Sequence, residues 1–312
     1  ANLTLFQKFM HRHFDLSRFL CNAGSLVGYL APITLTAIGI SNLAPEGQVP
    51  QSVTYSFYIG AAVLVLCVVY SFIFIREMPP KEYAEYHGIT KEQATEKAGM
   101  MSLLRNAPST FWTVGLVQFF CWAAFLYMWT YTNGAIADTV WGTTDTKSAA
   151  YQAAGNWVGV LFAVQAVGSV IWAVAIPMFK SHKMVYALSL VLGGIGFIST
   201  LFITSQYVLF FSYLLIGCAW AAMLAMPFTI LTNSLSGKNM GTYLGLFNGT
   251  ICVPQICAAA VGGVILPLLG GRQVNMLVLA GIMLLMGAVC VYFIKETYAE
   301  ARAVDQTVGE EI

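Results

Sequence analysis

Apolar residues run along the chain in eight windows of about twenty residues or more: 19–40, 55–75, 111–137, 154–179, 185–204, 207–235, 240–269 and 273–294. An α-helix rises about 1.5 Å per residue, so some 20 apolar residues cover the hydrocarbon core of a bilayer. None of the windows contains Asp, Glu, Lys, Arg or His. Lipid offers the backbone no hydrogen-bond partner, so windows of this length and purity predict helices that satisfy their own N–H and C=O groups. The expected fold class is an all-α polytopic membrane protein with eight spanning helices.

The polar connections set the expected orientation. If residues 1–18 lie in the cytoplasm, the cytoplasmic segments 1–18, 76–110, 180–184, 236–239 and 295–312 hold 13 of the 15 Lys and Arg residues. The opposite side keeps Lys147 and Arg272 alone. The positive-inside rule therefore predicts a multi-pass protein with both termini cytoplasmic, in a plasma membrane such as a bacterial inner membrane. Segment 76–110 mixes Lys and Glu and turns amphipathic at Met100, Met101, Leu103 and Leu104, as a surface-lying linker would. The expected divisions are 1–75 as the last two helices of an amino-terminal bundle, 76–110 as a cytoplasmic linker, 111–294 as a six-helix bundle and 295–312 as a cytoplasmic tail.

Composition narrows the function classes. Hydrophobic residues make up 58% of the 312-residue chain and charged residues 9%, with a mean hydropathy of +0.72 and a net charge near +1. That excludes a soluble domain and leaves no basic patch for nucleic acid. The seven cysteines all lie inside the apolar windows, where they read as small packing residues rather than a disulfide framework. The four histidines, His11, His13, His87 and His182, lie in charged connections, and no metal site or cofactor is expected. An embedded enzyme would need a nucleophile, a metal cluster or a close acidic pair at a membrane face, and none is present in or beside a window, so no catalytic residue is assigned.

Internal repetition is the next signal. Window four opens Gly155-Asn-Trp157-Val-Gly159 and window seven opens Gly241-Thr-Tyr243-Leu-Gly245, while window one carries Gly24 and Gly28 at the same spacing. Pairs of glycines four apart let helix backbones approach closely, and these recur every third window. A three-helix unit with the glycine pair in its middle helix makes windows three to five and six to eight two complete units. Windows one and two are then the end of another bundle, and about four helices are expected ahead of Ala1.

Polar residues inside the windows fall on single helix faces. Gln118, Trp122, Phe125, Trp129 and Thr132 are spaced by four, three, four and three in window three. Window seven aligns Gly241, Gly245, Asn248, Cys252 and Gln255; window four aligns Trp157, Gln165 and Trp172; window one aligns Asn22, Ser25, Tyr29, Pro32 and Thr36. A buried amide in lipid either joins helix to helix or lines a water-filled path. For Asn248 and Gln255 both roles stay open, whereas two indoles beside a glutamine suit a cavity better than a close helix contact. Amides donate to and accept from neighbouring hydroxyls and an indole covers the C–H face of a pyranose, so these faces suit a sugar. Carriers of anionic solutes need Arg or Lys near the midplane, and the windows hold neither, which favours a neutral polyhydroxyl solute. Pro227 and Pro254 each remove a helical hydrogen bond within a window and are candidate gating positions.

Two bundles of six helices joined by a long cytoplasmic loop resemble the major facilitator superfamily. The run from Leu116 to Tyr131, Gly155-Asn-Trp-Val-Gly-Val-Leu-Phe162, Met226-Pro-Phe-Thr-Ile-Leu, Met240-Gly-Thr-Tyr-Leu-Gly-Leu-Phe-Asn248 and Val253-Pro-Gln255 resemble its sucrose/maltose branch, related to glycoside–pentoside–hexuronide:cation symporters. The resemblance covers residues 19–294, as the family's fifth to twelfth helices. It implies secondary active transport of a disaccharide such as maltose or sucrose by alternating access, with a coupling proton or sodium ion. Sugar contacts are then expected from Gln118, Trp122, Trp129, Asn133, Trp157, Gln165, Asn248 and Gln255, joined by Asn22 and Tyr29 from the amino-terminal side. Plant sucrose carriers place an acid just beyond the aromatic run of this helix, whereas Tyr131-Thr-Asn133 here is uncharged until Asp138. No acid in the windows can relay a proton, so coupling is expected to reside outside them. The other readings are a facilitator of another neutral polyhydroxyl solute and an inactive membrane scaffold.

Overall fold

A computed structural model of the chain describes residues 24–42, 48–76, 79, 82, 100–179, 181–235 and 240–295. Among the described residues the regular structure is entirely helical: α1 (Gly24–Ala37), α2 (Gln51–Phe74), α3 (Met100–Arg105), α4 (Ser109–Thr139), α5 (Ala149–Ala175), α6 (His182–Ser199), α7 (Leu209–Ser234), α8 (Met240–Phe247), α9 (Gly249–Leu268) and α10 (Gln273–Tyr292). Seven helical stretches in this part of the chain are long and apolar enough to cross a membrane, α8 and α9 together forming one of them. They match the second to eighth apolar windows. The first window begins outside the described residues and is represented by the 14-residue α1.

Local chemistry sets several helix ends. The Ser148 hydroxyl accepts from the Tyr151 amide at 3.1 Å and opens α5, and Ser181 does the same for Met184 at 3.2 Å at the start of α6. The reversal from α9 to α10 passes through two consecutive left-handed residues, Gly270 and Gly271, a backbone path that side-chain-bearing residues rarely adopt. The seventh window is expected as one helix, yet it breaks at Asn248. Thr250 turns its hydroxyl back to the Phe247 carbonyl at 2.6 Å, and the Ile251 amide bonds Asn248 one residue closer than an α-helix requires.

α4 is the hub of the bundle. It packs against α10, α9, α5 and α7, while α10 also lies on α6, α6 on α7 and α7 on α5. Lipid tails are as apolar as the side chains they would replace, so close van der Waals fit carries the association. Glycines let backbones approach closely: a Cβ on Gly168 would sit 2.7 Å from the Leu214 carbonyl oxygen, and one on Gly281 would sit 2.8 Å from that of Gly194. Phe125, Tyr186, Phe197 and Tyr213 are fully enclosed in the resulting core.

α1 lies on α5, with the Tyr29 ring 5.4 Å from that of Phe162. α2 is exposed from Phe57 onward; in its first turns Val53, Thr54 and Ser56 are half-buried and Ser52 is buried, its hydroxyl donating to Asn42 Oδ1 at 2.5 Å and tying the helix to the segment after α1.

Candidate functional site

One face of α4 carries Gln118, Trp122, Phe125 and Trp129 toward α7. Gln118 is 1% exposed, and its Nε2 donates to the Met223 carbonyl of α7 at 3.4 Å. That carbonyl stands four residues before Pro227, which has no N–H to return to it. Among the described residues the Gln118 Oε1 has no partner, and neither has Trp122 Nε1 one helical turn further on. Trp220 of α7 closes the face, its ring lying 5.9 Å from Trp122, 5.0 Å from Phe125 and 5.7 Å from Trp129.

α5 adds Gln165, a buried residue whose Oε1 also lacks a partner. Its backbone carbonyl lies directly against Gly217 of α7. The Tyr213 hydroxyl donates to Thr132 Oγ1 at 3.2 Å, and Thr132 in turn donates to Met128 O at 2.7 Å, so that pair is internally satisfied. A buried polar atom without a partner costs about 1–3 kcal/mol, and such atoms in native proteins ordinarily serve a water or a ligand. The two on α4 are complementary. Gln118 Oε1 only accepts and Trp122 Nε1 only donates, whereas a hydroxyl does both.

A second polar region lies where α4 ends and α5 begins. A cavity of about 280 Å³ opens there between α1, the start of α2, α4 and α5. Asn133 lines it and has a buried, unpartnered Oδ1. Tyr29 lines it too, so two of the expected sugar contacts stand together here, away from the Trp220 cluster.

The remaining expected residues are dispersed. Trp157 is committed to packing: its indole N–H donates to the Gln206 carbonyl at 3.2 Å and its ring stacks on Phe210 at 5.6 Å. Asn248, between α8 and α9, is exposed and Gln255 on α9 is half-buried; Gly241 and Gly245 of α8 are exposed, and the break at Asn248 interrupts the single helical face expected from their spacing. A Cβ on Gly24, Gly28, Gly241 or Gly245 would meet nothing within 4 Å, whereas one on Gly159 would lie 2.9 Å from the Tyr29 carbonyl oxygen and one on Gly155 3.5 Å from Asn133 Nδ2. Of the glycine pairs read from the sequence, the one in α5 is in close contact. Pro227 and Pro254 are both buried. Asn22 lies outside the described residues, as do His11, His13 and His87.

Trp220 and the Met223 carbonyl belong to the site although the reading of the sequence did not assign them. The run Gly217-Cys-Ala-Trp220 signals a thin stretch of helix, but which ring across the interface it faces depends on the crossing of α4 and α7. Among the described residues no group of three His, Cys, Asp or Glu could hold a metal ion.

No curated protein matches the chain. The family model described as Major Facilitator Superfamily matches residues 126–310, from the middle of α4 through α10 and beyond. With seven apolar helical stretches long enough to cross a membrane among the described residues and more than half its length matched, the chain is a multi-pass membrane protein that belongs to the major facilitator superfamily of solute transporters.

Proposed function

We propose that this transporter moves a neutral sugar, a disaccharide of the maltose or sucrose type, by alternating access with proton symport. The observation that supports the reading is that Gln118 Oε1 and Trp122 Nε1, an acceptor and a donor on side chains one turn apart on α4, are both buried without a partner among the described residues, with the Trp122 ring 5.9 Å from that of Trp220. A sugar hydroxyl satisfies both atoms, and indole rings offer surface for the apolar face of a pyranose. Trp129 extends this aromatic surface and Gln165 supplies a further acceptor from α5. The absence of Lys and Arg from the apolar windows disfavours anionic solutes. Proton coupling rests on the resemblance to the sucrose/maltose branch, and the ion-carrying acid is assigned outside the windows.

In this reading 111–294 forms one bundle, 1–75 belongs to another and 76–110 links them, with both termini on the cytoplasmic side of the plasma membrane as the Lys and Arg distribution supports. Pro227 and Pro254 are the points at which α7 and α9 flex as the bundles rock. Uptake of radiolabelled maltose and sucrose into vesicles holding the full-length protein tests the proposal: saturable uptake abolished by a protonophore is expected, and no saturable uptake of either sugar rejects it. A Pro254→Ala protein that transports at the parental rate would remove that proline from the gating scheme.

A further inference from the structure

We infer that the cavity between α1, α4 and α5 is a separate solute site that takes a single sugar ring at the Lys147 end of the bundle. Its lining carries the amides of Asn42, Asn133, Gln152 and Asn156 and the phenols of Tyr29 and Tyr151, and no charged side chain. Amides and phenols without ions recognise hydroxyl groups, by the same chemistry that favours a neutral solute in the bundle interior. Pro32, Ile33, Pro50 and Val53 supply apolar surface on the remaining walls.

Size sets the ligand. Sites for drug-sized molecules occupy roughly 300–1,000 Å³, and about 280 Å³ is room for one pyranose ring rather than two. The Asn133 Oδ1 is the anchoring acceptor, since it is buried without a partner and belongs to a side chain that lines the cavity. Gly155 makes the space for it: a Cβ at that position would already touch the Asn133 amide at 3.5–3.8 Å, and a longer side chain would fill the cavity.

The cavity is distinct from the interior site. Trp122 and Asn133 are eleven residues apart on one helix, about 16 Å along its axis, further than one ring can bridge, with Trp129 standing between them one turn from Asn133. A solute held at Asn133 stands at the mouth of the helix face that leads to Trp129 and Trp220.

The solute class rests on the sugar-transport reading, and the test separates the two. Asn156→Cys and, as a second reporter, Gln152→Cys are made in the full-length protein in proteoliposomes and labelled with a membrane-impermeant methanethiosulfonate, the parent protein giving the background from native cysteines. Glucose, a single ring, at about ten times its dissociation constant should slow labelling about tenfold, because a tenth of the sites remain free. Gly155→Leu should abolish that protection, while Gly155→Ala, which fits as an ordinary contact, should keep it. Neither reporter being labelled, or labelling that glucose does not slow while uptake stays saturable, would overturn the cavity site and leave sugar transport standing. Protection without any uptake would uphold the cavity site and reject transport.

Discussion

Gln118 on α4 donates its side-chain N–H to the Met223 carbonyl on α7, the carbonyl that Pro227 leaves without a helical donor. The kink-prone proline and the buried amide therefore answer each other across the α4–α7 interface. Gln118→Leu strands the carbonyl and should lower stability by about 1–3 kcal/mol. Pro227→Ala restores a main-chain N–H at that position, so the Gln118→Leu/Pro227→Ala protein should recover most of the loss. Thermal unfolding of the four proteins of this double-mutant cycle in detergent measures the coupling, and additive effects would show that the two residues are independent.

Trp122 separates binding from folding. Its indole N–H is buried with no partner, so Trp122→Phe removes an uncompensated donor while keeping most of the ring surface against Trp220. The relief of an unpaired donor offsets part of the packing lost with the smaller ring, so stability should fall by no more than about 1 kcal/mol. If a sugar hydroxyl accepts from this N–H, the loss of one hydrogen bond worth about 1–1.5 kcal/mol raises KM for sugar uptake about tenfold. Initial-rate uptake across a concentration series, read beside thermal unfolding, distinguishes this from a packing defect, which would reduce stability by more than that.

Several helix crossings bring a neighbouring backbone against a glycine. A Cβ on Gly217 would run into the Gln165 carbonyl and lie 2.8 Å from the Ser169 amide nitrogen, both main-chain atoms that cannot turn aside. Gly217→Ala should therefore cost about 1–3 kcal/mol by forcing α5 and α7 apart. Gly241→Ala and Gly245→Ala, with open space around them, should leave stability within about 0.5 kcal/mol of the parent. Unfolding temperatures of the purified variants give the ranking directly.

These glycines show what a sequence conveys and what it withholds. Length and apolarity decide whether a helix spans lipid, and both are local properties, so the windows from 55 to 294 correspond to helices in the structure. The period of 3.6 residues likewise groups Gln118, Trp122, Phe125 and Trp129 on one face without reference to any partner. What lies opposite that face is a property of helix crossings, which sequence period does not encode. Trp220, the Met223 carbonyl and the tight Gly168–Gly217 region became visible only with α5 and α7 in place. The Gly-x-x-x-Gly spacing is the same in α5 and α8, yet Gly159 meets the Tyr29 backbone and Gly245 meets nothing, because spacing permits an approach and the neighbouring helix decides it. The break at Asn248 falls on the polar run Asn248-Gly249-Thr250, where the Thr250 hydroxyl competes for a carbonyl; hydropathy averaged over some twenty residues does not register so short an interruption.

The end of α4 is tied to the α9–α10 turn by an ion pair, with Arg272 Nε and Nη2 each 2.9 Å from Asp138 Oδ2. Both partners are reached by water, Arg272 at 54% exposure and Asp138 at 26%, so solvent screens the attraction and the pair is worth under about 1 kcal/mol. Next to it Gln273 packs its amide directly over Gly134 on α4, a contact that needs no charge. The hierarchy follows from burial: Asp138→Asn should shift the unfolding temperature slightly, and the shift should shrink further in high salt, where exposed charges are screened within a few ångströms. Gly134→Leu, which drives a side chain into Gln273, should lower it by several times as much. If Asp138→Asn proved the more damaging of the two, the turn would be held by the ion pair and not by the packing beneath it.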